Sequence, residues 1–440
     1  MPAALRPGVA IAERLQAHGW EAYLVGGVVR DLLLGRTPAD LDIVTAAPPQ
    51  AVAALFDRTV PVGAEFGVVA VILDGRQFQV ATFRREGPYL DGRRPAFVEP
   101  ADAAADALRR DFTINALFYD PVSHTILDYV GGREDLDRRC IRTVGDPTVR
   151  FGEDRLRMLR AVRLGAELGF AIDPAALEAM TDLSATVRTV SAERIHEELA
   201  RLLVAPGRAQ ALRLLAHTGL LGAILPELVP AGGGARSPGG DLGTDRLARS
   251  LRALGHLRRP SAVVAMAVLL LAVERPDQAD AVCRRLRFSN VERRAITALV
   301  REHARVADLA AMRPGAVRAL FARAAPADLL EVYRVAALAA GRDSSAYVRA
   351  AEIVAAQVGS LGLPRPLLSG RDLVALGLSP GPQFASILES VEEARMRGEV
   401  ATRQDARAWV RARLPAGAPP QAGEPVPAPK VSGARGGEHD

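Results

Sequence analysis

Apolar residues recur at helical spacing over residues 9–18 ("VAIAERLQAH"), which predicts an amphipathic helix. They then condense into "AYLVG" (22–26), a predicted strand, and Gly26-Gly27 marks a turn into a helix over "VVRDLLLG" (28–35). A second strand is expected over "LDIVT" (41–45), followed by a helix over "PQAVAALF" (49–56). In "GVVAVILDGRQFQVATF" (67–83), two apolar alternating runs flank Asp74-Gly75, the signature of a β-hairpin. The first part of the chain therefore reads as a mixed α/β domain on a small sheet. After about residue 147 the strand signals fade. "VRFGEDRLRMLRAVRLGAELGF" (149–170) predicts one long helix ending near Gly169, and "SAERIHEELARLL" (191–203) another with Ser191 as its N-cap. "AVVAMAVLLLAV" (262–273) predicts a buried helix, "AGGGARSPGGDLG" (231–243) a glycine-rich loop, and residues 415–440 a disordered tail without a core-forming pattern. No internal repeat is visible. The expected fold class is α+β, a mixed α/β head followed by helices alone.

Composition narrows the class. The chain has 440 residues, 49% of them hydrophobic, too much for one ordinary domain. No apolar run is long enough to span a membrane, and no basic segment followed by an apolar one opens the chain as a secretory signal would. The two cysteines, Cys140 and Cys283, do not form a disulfide framework. The expectation is a soluble, cytoplasmic protein with no membrane partner. Net charge is +5, with a pI near 9.6. That excess is compatible with a nucleic-acid partner. Lys430 is the sole lysine, so a compositional bias accounts equally well for the arginine usage. The seven histidines are scattered and form no ligand cluster.

The first chemistry lies in "LVGGVVRDLLLGRTPADLDIV" (24–44). Side chains alternate across a strand, so Asp40 and Asp42 share a face while Leu41 and Ile43 point into the core. Two neighbouring carboxylates repel each other unless a cation lies between them, and hard oxygen donors suit Mg²⁺, which takes its remaining ligands from phosphate and water. The same pair also fits two solvent-facing aspartates at a strand start, or the metal site of a sugar-nucleotide transferase. Gly26 and Gly27 let backbone amides approach a phosphate where a helix begins, and Arg30 lies one turn further on. A glycine turn, a cation and paired carboxylates together fit phosphoryl or nucleotidyl transfer.

With these residues in place, the chain resembles the class II tRNA nucleotidyltransferase and bacterial poly(A) polymerase family, within the polymerase-β-type superfamily. "GGVVRD" plus "DLD" looks like its first motif. "RRDFTINAL" (109–117), "DYVGGREDL" (128–136), "EDRLRMLRAVR" (153–163) and "SAERIHEEL" (191–199) are similar to the next four, in order. "LLSGRDLVALGLSPGPQF" (367–384) resembles the C-terminal segment of CCA-adding members. The resemblance implies a nucleotidyltransferase head (1–146), an all-α neck that reads the base (147–205), a body (206–340) and a tRNA-binding tail (341–414). It implies that Gly27, Arg30 and Arg110 contact the nucleotide, that Asp111 lies near the ribose, and that Asp40 and Asp42 hold the metal. Where the family often has a further acidic residue on the strand after the hairpin, this chain has Gln79. The implied activity is addition of CMP and AMP to the tRNA 3′ end from CTP and ATP with Mg²⁺; no obligate protein partner is implied. A poly(A) polymerase, a partial CC- or A-adding enzyme and a non-enzymatic RNA-binding protein are the rival readings, the last opposed by the presence of Asp40, Asp42 and Arg30.

The fourth motif also makes chemical sense. Asp154 and Arg157, three apart on the expected helix, are neighbours. Cytosine and adenine each present a ring-nitrogen acceptor beside an amine donor; uracil and guanine present the reverse. An aspartate that accepts and an arginine that donates therefore select C and A. Arg160 and Arg163 continue along an adjacent side of the helix. A solvated, salt-bridged helix face is the competing reading. "RREGPYLDGRRPAFVEP" (84–100) resembles the flexible loop of members that add the terminal A, though it also fits an ordinary surface loop.

Overall fold

The computed structural model describes residues 5–413 apart from 39, 63–66, 90–91, 93–94, 230–244, 274, 313, 344, 359–366, 382 and 397. The expected disordered tail and glycine-rich loop lie outside the described residues. The chain opens with α1 (Arg6–Ala17), β1 (Ala22–Val25), α2 (Gly27–Leu33), β2 (Asp42–Thr45), α3 (Pro49–Leu55), β3 (Thr59–Pro61), β4 (Val68–Leu73) and β5 (Arg76–Thr82). The hairpin expected at Asp74-Gly75 joins β4 to β5, with both turn residues at positive φ (51° and 72°).

Residues 84–100 are not simply a loop. β6 (Arg84–Glu86) and β7 (Val98–Pro100) pair as a two-stranded antiparallel ribbon at its base. Then come α4 (Ala103–Leu108), β8 (Leu117–Asp120), β9 (Thr125–Asp128), α5 (Gly132–Asp137) and β10 (Cys140–Ile141). The main sheet has seven strands in the order β3-β4-β5-β2-β1-β8-β9. Its core gathers Val25, Val44, Phe83, Phe118 and Val144. Phe118 meets Tyr23, Phe83 and Tyr129 edge-on at centroid distances of 5.9–6.5 Å.

The third motif is a joint in the backbone. Gly131 sits at positive φ (79°) before α5, and a Cβ on Gly132 would lie 2.2 Å from the Thr113 carbonyl oxygen. Asp128 accepts hydrogen bonds from the amides of Val130, Gly132 and Arg133, capping the helix it precedes.

The predicted long helix is two helices. α6 (Pro147–Glu153) ends at Asp154, whose backbone is extended (φ −142°, ψ 105°), and α7 (Leu156–Leu168) starts afresh. The break is stabilised by the Leu156 amide, which donates to Asp154 Oδ1 at 3.1 Å. Apolar periodicity runs through this break because both helices bury a face. β11 (Ala171–Ile172) pairs with β10, and α8 (Pro174–Leu183) and α9 (Ala192–Val204) follow. Ser191 occupies the N-cap position of α9 but makes no side-chain capping bond; its N3 residue is Arg194, which cannot complete a capping box.

The rest is helical. The predicted buried helix spans Ala262–Leu270 with Val264 to Leu270 inaccessible or nearly so. Over the described residues two compact units form, residues 1–306 with 327–347 and residues 307–326 with 348–440. In the second, Leu368, Leu373, Val391, Val400 and Val410 make a small core. Beside it, buried Asp372 accepts from Arg403 and Arg407 at 2.7 Å each. No helix among the described residues is long and apolar enough to cross a membrane.

Candidate active site

One end of the main sheet collects the charged residues of the first two motifs. β1 and β2 run antiparallel with Val25 opposite Asp42, so the last residue of one strand and the first of the other share an edge. Gly26 turns there at positive φ (79°), its amide donating to the Leu117 carbonyl of the neighbouring chain segment at 3.2 Å. The first helical bonds of α2 run from Val29 and Arg30 to the Gly26 carbonyl, so the amides of Gly27 and Val28 have no intrahelical acceptor.

Two guanidiniums flank this turn. A Cβ on Gly26 would lie 3.6 Å from Arg110 Nη1, and one on Gly27 would lie 3.6 Å from Arg30 Nη2. Arg30 is held in place: its Nη1 donates to Asn115 Oδ1 at 2.8 Å, and its Nε and Nη2 donate to Asp31 Oδ1 at 2.9 and 2.8 Å. Arg110 donates through Nε and Nη2 to Asp106 Oδ2 at 3.2 and 2.8 Å and lies over the Phe118 ring at 5.3 Å. The fully buried Asp106 also accepts from Arg109, at 2.7 Å. Burial alone would raise the Asp106 carboxyl, but Arg110 and Arg109 outweigh it and hold the group below the ordinary carboxylate range.

Asp40 and Asp42 are both accessible to solvent. Asp40 precedes β2 and is not part of the strand. The protein packed around Asp42 still desolvates it enough to raise its pKa; Arg110 opposes the rise and the Asp40 charge adds to it. The two carboxylates are therefore close enough to repel, and the pair is suited to a divalent cation. Among the described residues no group of three or more His, Cys, Asp or Glu side chains is placed to hold a metal. Gln79 stands directly abreast of Asp42 on β5, the register position nearest the pair. It offers an amide where a third carboxylate would complete the set.

The fourth-motif residues gather beside this edge through ion pairs that cross the chain. Arg160 donates through Nε and Nη2 to Asp111 Oδ2 at 2.9 and 2.7 Å. Burial would raise Asp111, but Arg160 and Arg157 more than offset it. Arg160 also lies 3.5 Å from Glu198 of α9. Asp154 lies in the break between α6 and α7 and Arg157 in the first turn of α7, with the Arg157 amide donating to the Asp154 carbonyl at 3.0 Å. They are not paired with each other. Arg157 donates to Glu153 at 2.5 Å and to the Arg150 carbonyl at 3.1 Å, and its guanidinium lies 5.9 Å from the Tyr89 ring centroid. Asp154 is taken by Arg194. Arg163 is buried and shares Glu198 with Arg160: it donates to Glu198 at 2.5 Å and to Glu167 at 2.7 Å, and it ties α7 to α9. A separate cavity of about 360 Å³, lined by Arg246, Ser250, His303, Tyr333 and Arg342 among others, shares no residue with this site.

Asp106, Asn115, Glu153, Arg194 and Glu198 are the residues sequence reasoning passed over. Asp106-x-x-Arg109-Arg110 has helical ion-pair spacing and was open to detection. Arg194 and Glu198 lie inside the fifth motif, four apart, but their partners are 35–40 residues away.

Comparison with known proteins agrees with this geometry. Residues 22–142 match the poly A polymerase head domain, and residues 169–231 the probable RNA and SrmB-binding site of polymerase A. The chain is 48% identical over 219 residues to the CCA-adding enzyme of Geobacillus stearothermophilus, a match covering 50% of this chain and 54% of that one. The match thus spans about half the length of this curated relative. The fold superposes on the crystal structure of the Bacillus stearothermophilus CCA-adding enzyme in complex with CTP with a TM-score of 0.70 and 31% identity, covering 94% of this chain and 98% of that one. The Thermotoga maritima CCA-adding enzyme complexed with tRNA has the same fold at 18% identity, with a TM-score of 0.59 and coverage of 94% and 96%. With the glycine turn, the paired aspartates and the ion-paired helices that follow them on one scaffold, the chain belongs to the CCA-adding enzyme and poly(A) polymerase family of nucleotidyltransferases.

Proposed function

We propose that this protein adds CMP and AMP to the tRNA 3′ end, without a nucleic-acid template, using CTP and ATP and releasing diphosphate. The observation that carries this reading is the placement of the Asp40/Asp42 pair, the Arg30 and Arg110 guanidiniums and the Gly26-Gly27 turn at one sheet edge, joined to the Asp154–Arg157 break through the Asp111–Arg160 ion pair. The division into head, neck, body and tail at residues 146, 205, 340 and 414 belongs to the same proposal.

In this reading Arg30, Arg110 and the first-turn amides of α2 hold the triphosphate, and Asp40 and Asp42 hold Mg²⁺. When bound, the cation neutralises charge on the phosphates and lowers the pKa of the attacking hydroxyl. The tRNA 3′ oxygen attacks the α-phosphorus, the bond to the β-phosphate oxygen breaks, and diphosphate leaves. Asp111, anchored to Arg160, orients the ribose side of the nucleotide. Asp154 accepts from the amine of cytosine or adenine and Arg157 donates to the ring nitrogen beside it. Uracil and guanine would leave both groups unsatisfied, at about 1–3 kcal/mol each. Arg160 supports the pair through charge.

The test is labelled-nucleotide addition to a tRNA lacking its 3′ end, beside an unrelated RNA, by the intact chain and by Asp42→Ala. The reading requires addition to the tRNA that Asp42→Ala abolishes without unfolding the protein. CMP addition by Asp42→Ala at near the unaltered rate in Mg²⁺ would remove the metal assignment. Equal use of the unrelated RNA with ATP alone would favour a poly(A) polymerase.

A further inference from the structure

We infer that Arg194 is a positioning residue that sets nucleotide specificity, by fixing the Asp154 carboxylate so that one acceptor position is left for the incoming base. The inference rests on the proposed reading of Asp154 and Arg157 as the base-selecting pair.

Asp154 lies between two helices with an extended backbone, so neither helix confines its side chain. Its orientation comes from outside. Arg194, in the first turn of α9, donates through Nη1 to Oδ1 at 3.2 Å and through Nη2 to Oδ2 at 2.7 Å, a fork that fixes the plane of the carboxylate. The Leu156 amide adds a third bond, to Oδ1 at 3.1 Å. An ionised carboxylate offers roughly four acceptor positions. Three are filled, and the one left is on Oδ2. A single amine N–H, such as cytosine N4 or adenine N6 presents, matches that vacancy. A carbonyl oxygen placed there meets an acceptor and no donor.

The two side chains remain partly accessible, 25% for Arg194 and 16% for Asp154. An ion pair in that setting contributes less to stability than a fully enclosed one. The contrast is Arg163 of α7 with Glu198 of α9, where both side chains are 8% accessible and the pair is part of the packing. Removing Arg194 therefore frees the Asp154 carboxylate to rotate, or to bind water on its inner side, while the α7–α9 contact keeps its buried pair.

The experiment measures kcat/KM for CTP, UTP, ATP and GTP on tRNA acceptors of matching length, with tRNA affinity and melting temperature recorded for each variant. Arg194→Ala is expected to lower the CTP-to-UTP and ATP-to-GTP preferences by about tenfold, the loss of one well-oriented hydrogen bond. Arg194→Lys keeps the charge without the fork and is expected to fall between. Melting temperature and tRNA affinity stay near the unaltered values. A merely structural residue would scale all four nucleotides alike. If Arg194→Ala keeps its preferences while Asp154→Ala loses them, the role of Arg194 is refuted and the base reader stands. If Asp154→Ala keeps them too, the base reader is refuted and the inference falls with it. Should Arg194→Ala fail to fold, Arg194→Gln, with one planar donor, is measured against the same outcomes.

Discussion

Asp106 anchors two arginines of the head, and replacing it has a calculable cost. Its carboxylate is fully buried and receives Arg109 on one oxygen at 2.7 Å and Arg110 on the other at 2.8 Å. Removing one partner of a buried ion pair costs about 3–5 kcal/mol. Here the arginine side chains keep 19% and 17% accessibility, and Arg109 retains Glu86 at 3.2 Å. Water and Glu86 therefore offset part of the loss, and Asp106→Ala should cost about 3 kcal/mol, the lower end of that range. Asp106→Asn keeps one acceptor and should cost roughly half.

Trp20 and Trp409 are the chain's two tryptophans, so a Trp409→Phe background makes Trp20 fluorescence a reporter for the head in urea titrations. Arg110 also loses its anchor beside Gly26, so CTP binding should weaken even where the head stays folded. The pH dependence has a definite sign. The folded Asp106 carboxyl lies below its unfolded value, so its contribution is present above the unfolded pKa and is lost as pH falls through the folded one. The difference between variant and parent should accordingly be constant from pH 8 to about 5 and shrink below about 4. A cost under about 1 kcal/mol at pH 7, within the ordinary range for point mutants, would mean that the two arginines do not depend on Asp106.

Three further outcomes follow from particular contacts. Gly132→Ala places a Cβ 2.2 Å from the Thr113 carbonyl, a backbone clash that should lower the head's stability by about 2–3 kcal/mol in the same titration. Arg208→Met removes a buried arginine whose three donating nitrogens reach only the carbonyls of Ala205, Leu254 and Leu257; leaving those helix ends unsatisfied should lower the melting temperature by several degrees, at about 1–3 kcal/mol. Tyr89→Ala removes the ring beside Arg157 and the hydroxyl that donates to Glu86, and should slow AMP addition more than CMP addition; equal slowing would show that Tyr89 takes no part in changing the base.

Much of the head was legible because its signals are local. The Asp-Gly hairpin, the glycine turn and a pair of aspartates at the mouth of an apolar strand each announce themselves within a few residues. β8 and β9 were not, since four-residue strands carry too little alternation to stand out. The ribbon of β6 and β7 was masked by Gly, Pro and Arg, residues that read as loop. The split of the helix expected over 149–170 escaped because the Asp154 break is made by a side chain bonding the Leu156 amide and by an arginine 40 residues on, neither of which alters the apolar period. The same distance explains the site. Asp154, Arg157 and Arg160 stood out as a constellation, but Asp154 meets Arg194 and Arg160 meets Asp111, partners 40 and 49 residues away. Arg163, chosen by spacing, turned out to face Glu198.

Stepwise incorporation by the intact chain, on a tRNA ending at its discriminator base, bears on all of this at once. Product length is resolved to the single nucleotide with CTP alone, with ATP alone, and with both. CCA addition as proposed predicts two additions with CTP alone, a third and final one when ATP joins it, and none of consequence with UTP or GTP. A long adenylate tract with ATP alone, or uridylate added as readily as cytidylate, would contradict it.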